Sequence, residues 1–535
     1  MTEQVVADVR PLLAVVVSLV AAALILLSSR RPDLREGWSV LAAFVKFGIV
    51  LSMLPGVLSG KEYYWSFGQF IHGIEFALKV DMLGMLFALL SSFLWIFTVF
   101  YTAGYMRSLS EANQTRFFAA FAASLSTAIG IAFAENLLTI FIFYELLSVA
   151  TYPLVAHNED EEARAAGRKY LAYTFFGGGF LVLGGTAMVH SAAGTTSFGE
   201  TAAGLANADP LLAQAAFAFL ILGFGTKAAL MPFHSWLPDA MVAPTPVSGL
   251  LHAVAVVKSG AFGISRVFLD VYSPELVVEL GLHIPVAALA AFTFITASFI
   301  ALKKDHLKRR LAYSTISQLS YIVLGIALLT PYGIVGGLLH IPAHAFMKLT
   351  LFFCAGAIHV ETHKDYISEL AGVGKRMPTT MRAFAVAAAG MAGLPLLAGF
   401  VSKFYLVIGS IQMNDPEVMF GEPAVAGLVF AAALVFSGVL NIAYFWPVVY
   451  TAFFEDEEDH RSKPLLDSVL GGEKEAYDYT WDSRNFLNET TWLMLLPILL
   501  VVTGAVILGV VPQHFAFLEL AINIAENATG MEVRP

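Results

Sequence analysis

The sequence has few charged residues and a single cysteine. Charged side chains make up 13% of its 535 residues, whereas a soluble domain carries about 25%. Hydrophobic residues make up 58% of the chain, and the mean hydropathy is +0.72. This composition predicts a polytopic membrane protein. The lone Cys354 excludes an intrachain disulfide, iron–sulfur ligation and a thiolate zinc site, and its apolar neighbours predict a small buried side chain.

The chain also lacks a clustered basic surface. Its net charge of −10 comes largely from acids in short loops such as NEDEEAR and FFEDEEDH. Nucleic-acid binding needs basic residues gathered on one face, so this class of function is excluded. There is no nucleotide-binding motif and no cluster of metal ligands, and we therefore predict neither a cofactor nor a metal. Any redox chemistry would belong to partner subunits.

Long apolar runs are abundant. A membrane-spanning helix needs about 20 apolar residues, and the sequence predicts fourteen such segments. They lie near residues 12–29, 39–58, 82–105, 117–134, 136–155, 170–191, 212–234, 246–268, 284–302, 310–329, 332–358, 383–410, 424–453 and 491–512. Only Glu135 and Asn136 separate the fourth segment from the fifth, so the easiest miscount would join these two. The predicted fold is all-α and polytopic.

Basic residues outside these segments are distributed unequally. Most lie in loops that follow odd-numbered segments, and the opposite side holds only Arg10, Lys61, Lys79, Arg266 and Arg534. Positive loops mark the cytoplasmic side of a membrane protein. We therefore predict a multi-pass protein of the cell (inner) membrane with both termini on the outer side.

Five charged residues lie in the middle of predicted segments. They are Glu145, Lys227, Lys258, Lys348 and Lys403. A charge at a helix centre in the bilayer costs about 2.5–3.5 kcal/mol, and such residues are typical of ion pathways and proton relays. Glu145 needs a cationic partner, and Lys227 is the best candidate because an ion pair reduces the penalty for burying both charges. Lys46 in the second segment is assigned no role.

Two of these segments contain helix breakers beside the lysine. In segment 7, Pro232 follows Lys227 (KAALMPFHSWLPDA), and in segment 12, Pro395 precedes Lys403 (GLPLLAGFVSKF). Proline removes a backbone donor, and in lipid a broken helix persists only where protein or a water-filled cavity satisfies the freed groups. Broken helices of internally repeated transporters mark the ion path. A kink without function is the alternative for each break taken alone.

The two broken segments suggest an internal repeat. Segment 12 lies five segments after segment 7, and a five-helix unit crosses the membrane an odd number of times, so its copy would be inverted. The predicted domains are helices 1–3 in residues 1–116, one repeat in 117–268, the second repeat in 284–453, a cytoplasmic loop in 454–490, and helix 14 with the C-terminal tail in 491–535. The loop either packs on the cytoplasmic face or is solvated.

Segment 11 carries a stripe of titratable residues. His340, His344 and Lys348 recur every four residues and so lie on one helix face. Histidine changes charge near neutral pH, and the stripe predicts a proton path, with Pro342 loosening the helix between the histidines. The alternative is that the histidines only hydrogen-bond neighbouring helices.

Segment 8 adds His252 and Lys258 to the predicted relay. The two residues are six positions apart and do not share one helix face, so a water molecule would have to join them. Both belong to the first predicted repeat.

Two other classes of function remain as alternatives. A haem-binding electron carrier would take histidines from facing helices, whereas His340 and His344 share one face, and the lysines would have no role. A stand-alone permease or a scaffold would not depend on a relay lysine. The variant Lys227→Ala distinguishes these, because a relay subunit should lose activity and a scaffold should not.

Four stretches of the sequence are similar to a known family. The run TKAALMPFHSWLPDAMVAPTPVSGLLHAVAVVKSG, together with NLLTIFIFYELLSVATYPLV, HAFMKLTLFFCAGAI and GLPLLAGFVSKF, resembles the antiporter-like subunits of respiratory complex I and of Mrp-type sodium/proton antiporters. The resemblance covers about segments 3 to 13. It implies fourteen transmembrane helices with two inverted five-helix halves, in a complex with other membrane subunits that moves protons and sodium ions.

The resemblance also implies roles for matching residues of the first half. Glu145 matches the family's helix-5 glutamate, Lys227 matches the lysine of broken helix 7, and Lys258 matches the helix-8 lysine.

Residues of the second half match as well and bear on the subtype. His344 and Lys348 match the helix-11 polar link, and Lys403 matches the terminal group of broken helix 12. One complex I subunit type has a glutamate at that last site, whereas the Mrp D-type subunit has a lysine. The largest complex I subunit type also has a lysine but continues into a long lateral helix, and this chain stops at Pro535. We therefore expect a D-type Mrp-like subunit, with a proton-pumping subunit of a complex I-like respiratory or hydrogenase-type complex as the alternative.

Overall fold

The computed structural model describes residues 4–71, 73–419, 425–455 and 489–533. Three strands are present within this part: β1 Gln4–Ala7, β2 Lys61–Ile71 and β3 Ile74–Val80. The α-helices are α1 Arg10–Leu27, α2 Pro32–Leu58, α3 Met82–Ser108, α4 Gln114–Ala132, α5 Leu137–Val155, α6 Glu161–Phe175, α7 Leu183–Ala193, α8 Thr201–Ala206, α9 Pro210–Lys227, α10 Trp236–Asp239, α11 Thr245–Gly249, α12 Val256–Arg266, α13 Pro274–Glu279, α14 His283–Leu302, α15 Leu307–Ala327, α16 Pro331–Thr362, α17 Val373–Arg376, α18 Pro378–Ala392, α19 Ala398–Gln412, α20 Ala426–Phe454, α21 Trp492–Val510 and α22 Ala516–Thr529.

Three π-helical turns extend or join these helices. Phe176–Val182 connects α6 to α7, Leu250–Val254 leads from α11 to α12, and Val267–Val271 prolongs α12. Each turn has an i to i+5 hydrogen-bonding pattern, and such turns are frequent at functional sites. Most of the predicted loop 454–490 lies outside the described residues.

The predicted helical, multi-span architecture is confirmed. Twelve helical runs of the described chain are long and apolar enough to cross a membrane. Each coincides with one predicted segment. The two remaining predicted segments correspond to α15, which begins with a basic turn, and to the pair α18 and α19, each only 15 residues long. The total of fourteen crossings and the inverted repeat stay predictions.

The fourth and fifth segments are separate helices, as predicted. α4 ends at Ala132 and α5 begins at Leu137. The side-chain oxygen of Asn136 accepts a hydrogen bond of 2.8 Å from the backbone amide of Thr139, which caps the start of α5.

A small sheet in the predicted N-terminal helical region was not expected from the sequence. β1 pairs parallel to β2, and β2 pairs antiparallel to β3, with Tyr63 opposite Val80. Aromatic residues in KEYYWSFGQFI favour a strand. The stretch is too short and too polar for a spanning helix, so a search for long apolar runs passes over it.

Both predicted helix breaks are present. α9 ends at Lys227, and residues 228–235 carry no helix before α10. α18 ends at Ala392 and α19 begins at Ala398. Pro232 and Pro395 lie in these two gaps. The breaks therefore coincide with the two segments in which a lysine accompanies helix breakers.

Two elements form the interior of the bundle. The most apolar windows of α16 and of the run Thr245–Val271 are 100% buried by the rest of the chain. The corresponding windows of α1, α2, α20 and α21 are less than half buried, so these helices present apolar faces outward. Polar groups on α16 and α12 are thereby kept away from lipid.

Candidate functional site

Eight protonatable side chains form the predicted relay. They are Glu145 on α5, Lys227 on α9, His252 in the turn before α12, Lys258 on α12, His340, His344 and Lys348 on α16, and Lys403 on α19. Six of them are at most 1% exposed, whereas Glu145 and Lys403 are partly exposed. The six buried groups face neighbouring helices, as a pathway inside the bundle requires.

Lys227, the last residue of α9, points toward α5. Its Nζ atom donates a hydrogen bond to the backbone carbonyl of Tyr144 and lies 3.5 Å from the centroid of the Tyr144 ring. Among the described residues, no ion pair within 4.0 Å joins Lys227 to Glu145, so their charges are not in direct contact, and their pairing stays a prediction. Successive residues of a helix point about 100° apart, and the Glu145 carboxylate therefore leaves α5 in another direction.

The Glu145 carboxylate lies against the π-helical turn Phe176–Val182. Its Oε1 atom is buried and has no hydrogen-bond partner in the described part of the chain. A Cβ atom built on Gly178 would lie 1.6 Å from this oxygen, so only glycine allows the close approach. Sequence analysis missed this contact, although the run FGGGF in segment 6 was a visible signal.

α12 packs directly against the end of α9. A Cβ atom on Gly260 would lie 2.3 Å from the backbone nitrogen of Ala228, the residue after Lys227. The absence of a side chain thus brings the two helices together two residues from Lys258. Lys227 and Lys258 are brought near each other by the packing of α9 against α12. Among the described residues, no hydrogen bond joins the two lysines.

Lys258 contacts the ring of His344 on α16, whereas the sequence predicted His252 as its partner. Its Nζ atom lies against Nδ1 of His344 on α16 and donates a hydrogen bond of 3.2 Å to the backbone carbonyl of His252. The His252 ring instead packs on Phe352, with ring centroids 4.7 Å apart. Both ring nitrogens of His252 and Nε2 of His344 are buried without a partner among the described side chains and backbone.

The contact between Lys258 and His344 has a chemical consequence. An ammonium group has only donors, and an imidazole nitrogen accepts only when it carries no hydrogen. The contact therefore needs one of the two nitrogens to be free of its proton. Two basic groups that share one proton in this way are able to exchange it.

His340 continues the row toward α19. Its Nε2 atom lies 3.1 Å from Oε1 of Gln318, and its Nδ1 atom lies 2.8 Å from the hydroxyl of Ser402. Since the amide oxygen only accepts, this network assigns the hydrogen to Nε2 and lets Nδ1 accept from Ser402. The rings of His340 and His344 are stacked, with centroids 6.1 Å apart, and Ser402 directly precedes Lys403.

Lys348 faces α15. Its Nζ atom donates hydrogen bonds to the backbone carbonyl of Leu311 at 3.2 Å and to the Ser314 hydroxyl at 2.9 Å. Ser314 also contacts Tyr444 of α20, which contacts Asn441 in turn. Sequence analysis missed these three residues, because a serine, a tyrosine or an asparagine in an apolar segment is too common to mark a site.

Lys403 lies across the second helix break. Its Nζ atom donates a hydrogen bond of 2.6 Å to the backbone carbonyl of Met391 in the last turn of α18 and lies 5.1 Å from the centroid of the Tyr321 ring. A cation is favoured at a helix C-terminus, where carbonyl groups have no partner within the helix. The lysine after the break thus satisfies the helix before it.

His340 and His344 do not fit a haem. No group of three or more histidine, cysteine or carboxylate side chains in the described part of the chain could hold a metal ion. Both ring nitrogens of His340 and Nδ1 of His344 contact neighbouring side chains. The two rings also stack on one helix, so they cannot ligate one iron from opposite sides.

Comparisons with known sequences match most of the chain. The family described as "NADH:quinone oxidoreductase/Mrp antiporter, TM" matches residues 134–429. NADH-quinone oxidoreductase subunit N of Desulforudis audaxviator (strain MP104C) is 31% identical over 439 residues, which cover 82% of each chain. Na(+)/H(+) antiporter subunit A1 of Staphylococcus haemolyticus (strain JCSC1435) is 30% identical over 440 residues, 78% of this chain and 53% of that protein. The chain therefore spans about half of the second relative.

A solved structure has the same fold. A chain of the Mrp complex from Dietzia sp. DQ12-45-1b superposes with a TM-score of 0.81 at 24% sequence identity. The match covers 98% of this chain and 52% of the other. Nearly the whole chain thus shares the fold of that structure.

Proposed function

This chain belongs to the NADH:quinone oxidoreductase/Mrp antiporter transmembrane family, and we propose that it is a proton-translocating subunit of a multi-subunit membrane complex. The observation that carries the proposal is the contact between Lys258 on α12 and His344 on α16. It places two basic groups that share a proton on the two elements most fully enclosed by the bundle.

The proposed path runs through six of the eight predicted residues. Glu145 and Lys227 exchange protons at the α5 end, and Lys227 passes them to Lys258 across the α9–α12 contact. Lys258 gives its proton to Nδ1 of His344. His340 and Ser402 then lead toward Lys403. Groups that gain and lose charge in turn, enclosed by apolar helices, are typical of proton relays in membranes.

The residues 117–268 and 284–453 are proposed to form two inverted five-helix units. Each contains a helix break with a lysine beside it: Lys227 is the last residue before the first break, and Lys403 lies in the second turn after the second break. Lys258 and His344 come from different units, so their contact would join the two halves of the path. We also propose that both termini lie on the outer side of the cell membrane, as the distribution of basic loops indicates.

The parent complex is proposed to be a cation/proton antiporter of the Mrp type that exchanges protons for sodium ions. One relative is a subunit of a Na(+)/H(+) antiporter and another is a subunit of an NADH-quinone oxidoreductase, which keeps a complex I-like pump as the alternative. The D-type assignment stays a prediction that depends on Lys403. Purification of the intact complex separates the two: small membrane subunits alone support the antiporter, and flavin or iron–sulfur subunits support the respiratory pump.

Alanine variants test the relay itself. We expect Lys227→Ala and Lys403→Ala each to abolish transport in everted vesicles, measured with a pH-sensitive dye, while the complex still assembles. Lys303→Ala is the matched control, because that lysine is exposed on the loop after α14. Transport at the wild-type rate in both alanine variants would rule out the relay assignment.

Exchange of the carboxylate gives a second test. Glu145→Gln should be as severe as the lysine variants, since the amide cannot take up a proton. Glu159→Gln is its control, because Glu159 lies outside the helices and pairs with Arg116 at the surface. Equal transport by the two glutamine variants would exclude Glu145 from the path.

A further inference from the structure

Ser314 of α15 accepts hydrogen bonds from two donors. Lys348 Nζ donates to its hydroxyl oxygen at 2.9 Å, and the Tyr444 hydroxyl donates to the same oxygen at 3.0 Å. The Tyr444 hydroxyl also contacts Oδ1 of Asn441, one turn earlier on α20. A phenol has a single proton to donate, so the Tyr444 hydroxyl donates either to Ser314 or to Asn441 at one time.

A second shared acceptor lies at the helix break. The backbone carbonyl of Met391 accepts from Lys403 Nζ at 2.6 Å and from Asn441 Nδ2 at 3.3 Å. Asn441 Nδ2 also lies 3.3 Å from the hydroxyl of Tyr321, which donates to Ser437 at 2.6 Å. Asn441 thus contacts Tyr444 through its carbonyl and the Lys403 acceptor through its amide nitrogen.

These polar groups are completely enclosed, although they belong in part to an outer helix. Ser314, Asn441 and Tyr444 are 0% exposed, and α20 otherwise presents much of its apolar surface outward. A buried polar group without a partner costs about 1–3 kcal/mol. Ser314, Tyr444 and Asn441 avoid this cost because they contact one another in a row between the two lysines, with Tyr444 in the middle.

We propose that Tyr444 and Asn441 form a hydrogen-bond switch that couples the charge of Lys348 to the charge of Lys403. This inference rests on the proposed function and adds two positioning residues to it. When Lys348 is protonated, it only donates to Ser314, so the Ser314 hydroxyl donates to the Tyr444 oxygen and the Tyr444 hydroxyl donates to Asn441. When Lys348 is neutral, its Nζ atom accepts from Ser314, and Tyr444 donates to the Ser314 oxygen instead. The bond from Tyr444 polarises the Asn441 amide and strengthens its hydrogen bond to the Met391 carbonyl, and two donors on one oxygen weaken each other's bonds. The ammonium form of Lys403 is weakened, and its proton is released.

The coupling works in both directions. A free energy of coupling between two sites is reciprocal, so a protonated Lys403 equally disfavours the protonated form of Lys348. No proton passes through Asn441, because its amide neither gains nor loses one. The route through His340 and Ser402 carries the proton to Lys403, and the network on α20 couples its release there to the charge of Lys348.

Removal of one hydroxyl group tests the switch. Tyr444→Phe keeps the ring and deletes only the oxygen, and we expect transport by the intact complex to fall about tenfold, as for loss of a buried hydrogen-bond partner. Tyr450→Phe on the same helix is the matched control, because Tyr450 is 45% exposed. Asn441→Leu should reproduce the loss. Each complex is purified first, so that only assembled complexes are compared.

A double-mutant cycle with Ser314→Ala separates coupling from simple destabilisation. Once the shared acceptor is gone, Tyr444→Phe should reduce transport by less than about twofold, because interacting residues are non-additive. An equal loss in both backgrounds would mean a structural role and overturn the inference. If Lys403→Ala abolishes transport but Tyr444→Phe keeps more than half of it, the switch is excluded and the relay stands. If Lys403→Ala transports normally, the proposed function itself fails.

Discussion

The two helix breaks of this protein hold their lysines in different ways. At the first break, Lys227 ends the broken helix α9 and reaches a neighbouring helix, where the carbonyl and ring of Tyr144 receive it. At the second break, Lys403 lies in the second turn of α19, and its side chain reaches back to the last turn of α18, the other half of the same broken helix. The first lysine is fully buried with a carboxylate nearby, and the second is partly exposed.

Both lysines have the same kind of partner, a backbone carbonyl. The four buried lysines of the described chain and the partly exposed Lys403 each donate to a backbone carbonyl: Lys46 to Leu125, Lys227 to Tyr144, Lys258 to His252, Lys348 to Leu311 and Lys403 to Met391. A carbonyl stabilises an ammonium without carrying a charge itself. When the lysine loses its proton, the partner left behind is a neutral carbonyl. A carboxylate partner would be left as an unpaired charge in the interior, which costs far more free energy.

The largest expected effect concerns the requirement for deprotonation. Lys227→Arg keeps the charge and the hydrogen-bond donors, but a guanidinium does not release its proton in a protein. We expect transport to fall by about a hundredfold, as for the loss of a proton-transfer group. Lys403→Arg should be less severe, because its partly exposed site gives water access. Dye-monitored transport measures both, with Lys303→Arg as control. Wild-type transport by Lys227→Arg would mean that this lysine acts only by its charge.

A smaller effect should follow from displacing the carboxylate at the first break. The methyl group of Gly178→Ala would overlap Oε1 of Glu145, and the Glu145 side chain would have to move. Transport should fall by at least about tenfold, since misplacement by 1 Å can cost more than that. Gly179→Ala is the matched control: it makes the same substitution at the next residue, where a Cβ atom meets nothing within 4 Å. If the two variants behave alike, the position of Glu145 is not critical.

The smallest effect concerns the structure of the first break. Trp236 Nε1 donates a hydrogen bond of 2.9 Å to the backbone carbonyl of Thr226, beside Lys227. Trp236→Phe removes this bond at an expected cost of about 1 kcal/mol. The melting temperature of the purified complex should fall by about 1 °C, with transport changed by less than about twofold. Trp446→Phe on the exposed face of α20 serves as control and should leave the melting temperature unchanged.

Local chemistry made part of this structure predictable. Pro232 and Pro395 break helices because proline lacks an amide hydrogen and clashes with the preceding turn, and the structure has a break at each. The four-residue spacing of His340, His344 and Lys348 requires a common helix face, and all three lie on α16. The inverted repeat and the roles of these residues stay predictions.

Contacts between helices were not predictable to the same degree. The sequence favoured pairs close in the chain or opposite in charge, namely His252 with Lys258 and Glu145 with Lys227. In the structure, Lys258 meets His344, 86 residues away. Such a contact depends on how glycines such as Gly260 let helices approach, which spacing along one helix does not encode.

Pro342 lies inside α16, between the two stacked histidines. Because it has no amide hydrogen, the carbonyl one turn earlier loses its intrahelical bond, and the 32-residue rod has a compliant point there. The part with His340 is tied to α15 and α19, whereas the part with His344 and Lys348 is tied to α12 and α15. A change of the bend at Pro342 would therefore alter the spacing of the two rings while each half of α16 kept its own hydrogen bonds to its neighbours.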